Sequence, residues 1–247
     1  MAADRLEQLR AELRAVAEPE RVPILSRYLG AYPGGYGEGD VLLGVRVPAA
    51  RTVARRFTDL PRDALAELLR SPVHDERLVA LVLLVRAYER GDEAVAALYL
   101  ASTAHVDNWD LVDLSAPRIL GAHLRTRPRG VLDEFVASES VWERRIAIVA
   151  TFAFIRAGEL DDTLRLAERL LADRHDLIHK AAGWMLREAG KRDEPRLVTW
   201  VERHGAAMPR TMLRYAIERL DPAERARLMG SEMRHAGSRG GQADRRG

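Results

Sequence analysis

Apolar residues recur along most of the chain at the three- and four-residue spacing of a helix that buries one face. Leu6, Leu9, Leu13 and Val16 fall at spacings 3, 4 and 3 and predict an amphipathic opening helix. Pro19 and Pro23 bracket the next helix start, and proline is tolerated in a first turn. Pro48, Pro61, Pro72 and Pro128 stand just before further periodic runs. Gly91, Gly158 and Gly190 follow arginine-bearing helix ends, as C′ glycines do. No run carries the period of two that marks a strand. The pattern predicts an all-α fold of about a dozen helices with essentially no sheet.

The helices repeat. Arg145-Ile-Ala147, Lys180-Ala-Ala182 and Arg214-Tyr-Ala216 share a basic-x-Ala pattern at offsets of 35 and 34, and Ala80 lies 67 residues before Ala147. A period in the mid-thirties, built from helix pairs, predicts an α-α superhelix, a solenoid of HEAT-like helical repeats with one concave face. A ladder of basic side chains on that face, Lys180 among them, suits a polyanion. Two segments break the pattern. Residues 31–40, AYPGGYGEGD, hold four glycines in ten and predict a loop; residues 230–247 hold five glycines and no apolar period and predict a disordered basic tail. The expected organisation is one repeat domain over 1–229 followed by that tail.

Composition narrows the chemistry. The 247 residues are 47% hydrophobic, enough for a core. No run of about 18 uncharged apolar residues occurs, so no membrane span is expected. The opening MAADRLEQLRAELRAV is charged throughout, so no signal peptide is expected. Zero cysteines exclude disulfides, thiolate catalysis and Cys-ligated zinc. Of 39 basic residues only Lys180 and Lys191 are lysine, and the net charge is just +2. A nucleic-acid surface would therefore depend on where the arginines sit, not on bulk charge.

The densest chemistry lies in His105-Val-Asp-Asn-Trp109-Asp110-Leu-Val-Asp113. Asp107 is the expected N-cap of the following helix. Trp109 and Asp113 are i and i+4, so they share a face. Arg145, and Trp184 with Arg187 at i+3, come one and two repeats later, and stacked repeats would bring all five to one concave patch. Indoles offer flat faces to a sugar or base. Arginines hold phosphates bidentately. A carboxylate beside a sugar C1′ can stabilise an oxocarbenium-like transition state. Asp110 reads as structural, paired with an arginine of a neighbouring repeat, and Trp142 and Trp200 as packing. His175 and His179 are i and i+4, but no third ligand accompanies them, so no metal site is expected. The GGYGEG loop lacks the GxGxxG context of a phosphate cradle, and Ser115 lacks a nucleophile elbow.

These segments together resemble the AlkD-like DNA alkylation repair proteins, which are HEAT-like-repeat DNA glycosylases. The likeness runs from about Glu18 to Leu220, through RYLGAY at 27–32, LLGVRVPAAR at 42–51, NWDLVD at 108–113, VWERRIAI at 141–148 and IHKAAGWMLREAGK at 178–191. The last three are specific only in combination. The resemblance implies hydrolysis of the N-glycosidic bond of cationic N3- or N7-alkylated purines in duplex DNA. It assigns the catalytic carboxylate to Asp113, the sugar-contacting indoles to Trp109 and Trp184, and phosphate or other DNA contacts to Arg145, Arg187 and Tyr28. It implies a lesion that stays stacked while the sugar is gripped from outside. The purine leaves already cationic, so no general acid, metal or organic cofactor is called for. The chain departs from familiar members at Asn108, where a second tryptophan can stand, and in the YGEGD loop at 36–40.

The implied partner is double-stranded DNA carrying alkylated bases, bound without a membrane or metal by a monomer in the bacterial cytoplasm or nucleoid. Two other functions fit the same pattern. One is a noncatalytic member of the family that binds damaged or unusual DNA. The other is a protein–protein scaffold, whose concave face would be lined by apolar grooves.

Overall fold

A computed structural model describes the backbone of residues 2–239 and the side chains of residues 3–230. Among them every named element is helical, and the strand-like pairing is an isolated parallel bridge between Val41 and Val73. The all-α expectation holds. By backbone packing the chain forms two units, Met1–Arg127 and Pro128–Gly247.

The first unit holds α1 (Ala2–Ala15), α2 (Val22–Leu29), α3 (Val47–Arg55), α4 (Arg62–Leu69), α5 (His74–Glu89), α6 (Val95–Ala101), α7 (Trp109–Ser115) and α8 (Ala122–Leu124). In α1, Leu6, Leu9 and Leu13 are buried as their spacing predicts, while Val16 lies past the helix end and is exposed. Helix α5 packs against α3, α4, α6 and α7. That is why Leu78 to Val85 are buried in one continuous run with no polar face. Its first turn, His74-Asp75-Glu76-Arg77, is buried as well. Buried charges persist only where partners replace water. Asp75 accepts hydrogen bonds from the backbone N–H of Leu43 (2.8 Å) and Val45 (3.0 Å), and Glu76 receives Arg10 Nε at 3.2 Å.

The second unit holds α9 (Gly130–Val136), α10 (Val141–Ala150), α11 (Phe152–Arg156), α12 (Asp161–Arg169), α13 (Asp176–Gly190), α14 (Glu194–His204), α15 (Arg210–Ala216) and α16 (Pro222–Arg239). Helices α10, α13 and α15 pack in succession, with α9, α12 and α14 behind them. This is the paired arrangement that the mid-thirties period predicts. Ile178, Ala181, Ala182, Met185, Leu186 and Ala189 form the buried stripe of α13. Gly183 lets α15 approach closely, since a Cβ there would stand 2.6 Å from Met212 O.

Gly91 and Gly158 take the positive φ of a C′ glycine, 95° and 82°. Gly190 does not. It ends α13 inside the helix, where a Cβ would strike Leu197 Cδ2 at 2.3 Å, so packing rather than a left-handed turn calls for glycine. Residues 31–40 form turns, as expected. Residues 230–239 of the expected tail continue α16, and residues 240–247 lie outside the described residues. No helix among the described residues is long and apolar enough to cross a membrane.

The repeat period reappears in the ion pairs. Arg62–Asp92, Arg127–Glu93 and Arg129–Asp162 each span 30 to 34 residues at 2.6 Å. Arg165 and Arg169 both reach back to Asp133, and Arg196 reaches Asp161. Many arginines are thus engaged by an acid one repeat away.

Candidate active site

Helix α7 begins at Asn108, which has extended φ and ψ of −144° and 155° and accepts a hydrogen bond from Trp109 N at 2.9 Å through its side chain. Asp107 therefore does not cap this helix; it lies 3.2 Å from Arg77 Nη2 instead. The Asn108 amide also donates to Leu29 O at 2.9 Å, which ties α7 to the end of α2. A larger side chain at position 108 would lose both bonds. Gly37 makes room for this contact, because a Cβ there would stand 2.6 Å from Leu29 O and 3.1 Å from Asn108 Nδ2. Gly37 of the YGEGD loop and Asn108, the two departures from familiar family members, are therefore neighbours in space.

Trp109 and Asp113 are both half-buried on α7. Trp109 meets Tyr28 edge to face, with ring centroids 5.0 Å apart at 90°. Its indole N–H points to Tyr28 O at 3.4 Å, and the same carbonyl accepts from Tyr36 Oη at 2.9 Å. Tyr28 is 63% exposed and Ile24, one turn earlier on α2, 73%. Two aromatic rings and a carboxylate one turn along thus share a region that solvent reaches. Beneath α7, Ser115 Oγ lies 3.1 Å from the hydroxyl of fully buried Tyr99. Burial pushes that phenol well above its ordinary range, and the charge of Asp113 adds to the shift while the Ser115 bond opposes it.

Asp110 is structural, but its partner is a histidine rather than the expected arginine: its Oδ2 lies 2.9 Å from His74 Nε2. The other ring nitrogen of His74 faces Asp40 Oδ2 at 3.0 Å. This cluster escaped the reading of the sequence, although it left a signal. Asp40, His74 and Asp110 are separated by 34 and 36 residues, one repeat each. The polar HDER run also opens a helix that is apolar from Leu78 to Val85.

In the second unit Arg145 is 5% exposed and donates through Nη1 to Leu177 O at 2.7 Å. Lys180, half-buried, pairs with Asp176 at 2.6 Å across one turn of α13. Trp184 is half-buried, and its ring centroid lies 6.0 Å from that of Phe152. Arg187 pairs with Glu218 and lies 3.5 Å from Glu188. His175 caps α13 by accepting from Leu177 N at 3.2 Å, and His179 Nε2 lies 2.6 Å from Asp173 O, so both histidines serve the entry to α13. Among the described residues no group of three or more His, Asp or Glu side chains could hold a metal ion.

The family model described as "DNA alkylation repair enzyme" matches residues 9–220. No curated protein matches the chain. Among solved structures, one described as a predicted DNA alkylation repair enzyme from Enterococcus faecalis is similar in fold, with a TM-score of 0.68 and 18% identity. The match covers 83% of this chain and 97% of that one. The chain belongs to the DNA alkylation repair enzyme family, which gives it a role in the repair of alkylated DNA.

Proposed function

We propose that the protein is a DNA glycosylase that hydrolyses the N-glycosidic bond of cationic N3- and N7-alkylated purines in duplex DNA. The observation that carries this reading is the pairing of Trp109 and Asp113 on α7, half-buried and flanked by exposed Tyr28. An indole face lies along the deoxyribose, and the Asp113 carboxylate stands where positive charge develops at C1′. The bond from C1′ to the purine nitrogen breaks, its electron pair neutralises the cationic base, and water adds to C1′ with loss of a proton to solvent. The leaving group needs no protonation, so a single carboxylate suffices.

In this reading Trp184, Lys180, Arg187 and Tyr28 are further DNA-contacting residues, and Arg145, 5% exposed and bonded to Leu177 O, has to leave that carbonyl to reach a phosphate. Arg187 likewise exchanges Glu218 for a phosphate. Residues 1–229 act as one functional domain of HEAT-like repeats, with 230–247 as a basic tail. The protein works as a monomer in the bacterial cytoplasm, without metal or organic cofactor.

The test is a duplex with one N7-methylguanine, incubated with the protein and scored for an alkali-labile abasic site. Wild-type release, with Asp113→Asn slowed by about 100-fold or more while duplex binding persists, supports the reading. Equal release by Asp113→Asn removes that residue from its role. Salt-sensitive binding without release by the wild type replaces the reading with a noncatalytic DNA-binding one. Absence of DNA affinity leaves the protein–protein scaffold.

A further inference from the structure

The first turn of α5 holds an arrangement that the chemistry of α7 does not itself use. The His74 side chain is 4% exposed, with Asp40 Oδ2 at 3.0 Å from Nδ1 and Asp110 Oδ2 at 2.9 Å from Nε2. A neutral imidazole has one N–H, so one of those carboxylates would face a lone pair. A carboxylate on each ring nitrogen requires the imidazolium. Arg77 completes the cluster, with Nη2 2.6 Å from Asp40 Oδ1 and 3.2 Å from Asp107 Oδ1, and Nη1 donating to Ser71 O at 2.9 Å.

The charged groups around His74 are thus Arg77 on its own helix, Asp40 at the end of the loop, and Asp107 and Asp110 at the entry to α7. Asp75 and Glu76 are turned to other partners, the N–H groups of Leu43 and Val45 and the guanidinium of Arg10. Burial works against the charge on His74, but the bonds to Asp110 and Asp40 overcome it and push the group up to about 9. Burial likewise opposes the charge on Asp40, yet His74 and Arg77 hold it below the usual carboxylate range.

Asp107 and Asp110 bracket Asn108 and Trp109, so the cluster clamps both sides of the first turn of α7. Resting on the reading of α7 as the active helix, we propose that His74 is a positioning residue. Bridging Asp40 and Asp110 as an imidazolium, it fixes the first turn of α7 against the loop and so sets Trp109 and Asp113 for the sugar.

Nitrogen-15 NMR of the full chain tests this, with the Trp109 indole peak assigned through Trp109→Phe. As pH rises, the Trp109 indole peak should move with a midpoint of about 9 while the Trp184 and Trp200 peaks stay in place. In His74→Gln the Trp109 peak should be displaced at neutral pH and no longer titrate. Single-turnover release of N7-methylguanine should fall by about 10- to 100-fold in His74→Gln, as expected for a misplaced catalytic geometry, with duplex Kd changed by less than about twofold. A Trp109 peak that stays still through the titration overturns the proposal, and so does unchanged release by His74→Gln of an active wild type. If the wild type releases no base, the glycosylase reading alone fails and the indole titration still decides the positioning role. If His74→Gln does not fold, the wild-type titration decides by itself.

Discussion

Asn108 does two things with one amide: its oxygen starts α7 and its nitrogen holds the carbonyl that ends α2. Asn108→Ala removes a cap and leaves buried Leu29 O without its donor, at a combined cost of about 2–3 kcal/mol. Urea denaturation should show the midpoint falling with an unchanged slope. Gly183 is equally intolerant for a steric reason. In Gly183→Ala the new methyl meets backbone at 2.6 Å, so α13 and α15 must separate, and a loss of about 1–3 kcal/mol is expected by the same measurement. Arg187 illustrates competition for a cation. Glu218→Gln releases it from its partner, and duplex affinity at low salt should rise by about threefold, the equivalent of one exposed ion pair. Unchanged affinity would show that Arg187 takes no part in binding.

Helix α5 carries a stability contribution that is lost at alkaline pH. Folding raises the His74 pKa from 6.5 to about 9, so its contribution is fully present below about 6.5 and is lost as pH climbs through about 9. The linkage is worth up to roughly 3 kcal/mol. Unfolding free energy should therefore decline between pH 6.5 and 9.5 in the wild type and much less in His74→Gln; parallel curves would remove His74 as the source. Apolar spacing made most helices legible, because a half-buried helix records its buried face at every turn. The partners of Asp107 and Asp110 were not legible in that way. A carboxylate two residues before a helix and one inside its first turn look alike as caps, and only the neighbouring repeat decides which is used. The pairing of Trp109 with Asp113 was legible because one helical turn fixes it locally. Its contact with Tyr28 is 81 residues distant, and spacing alone could not supply it.

Across the whole molecule, a net charge of +2 hides strong local pairing. If the protein holds duplex DNA through phosphates, log Kd should change linearly with log salt, by about 0.9 for each phosphate neutralised. A slope near zero would favour the scaffold function. The abundance of arginine gave no measure of that slope in advance, since Arg62, Arg127, Arg129, Arg165, Arg169 and Arg196 are engaged by acids of the neighbouring repeat. Each such pair works like a key cut in one repeat for a lock in the next. A repeat copied from elsewhere in the chain would carry its own key but meet a foreign lock, leaving some of these charges without an opposite partner. The order of the repeats is therefore written into these ion pairs as well as into the apolar faces, each exposed pair adding about 0–1 kcal/mol to the match between neighbours.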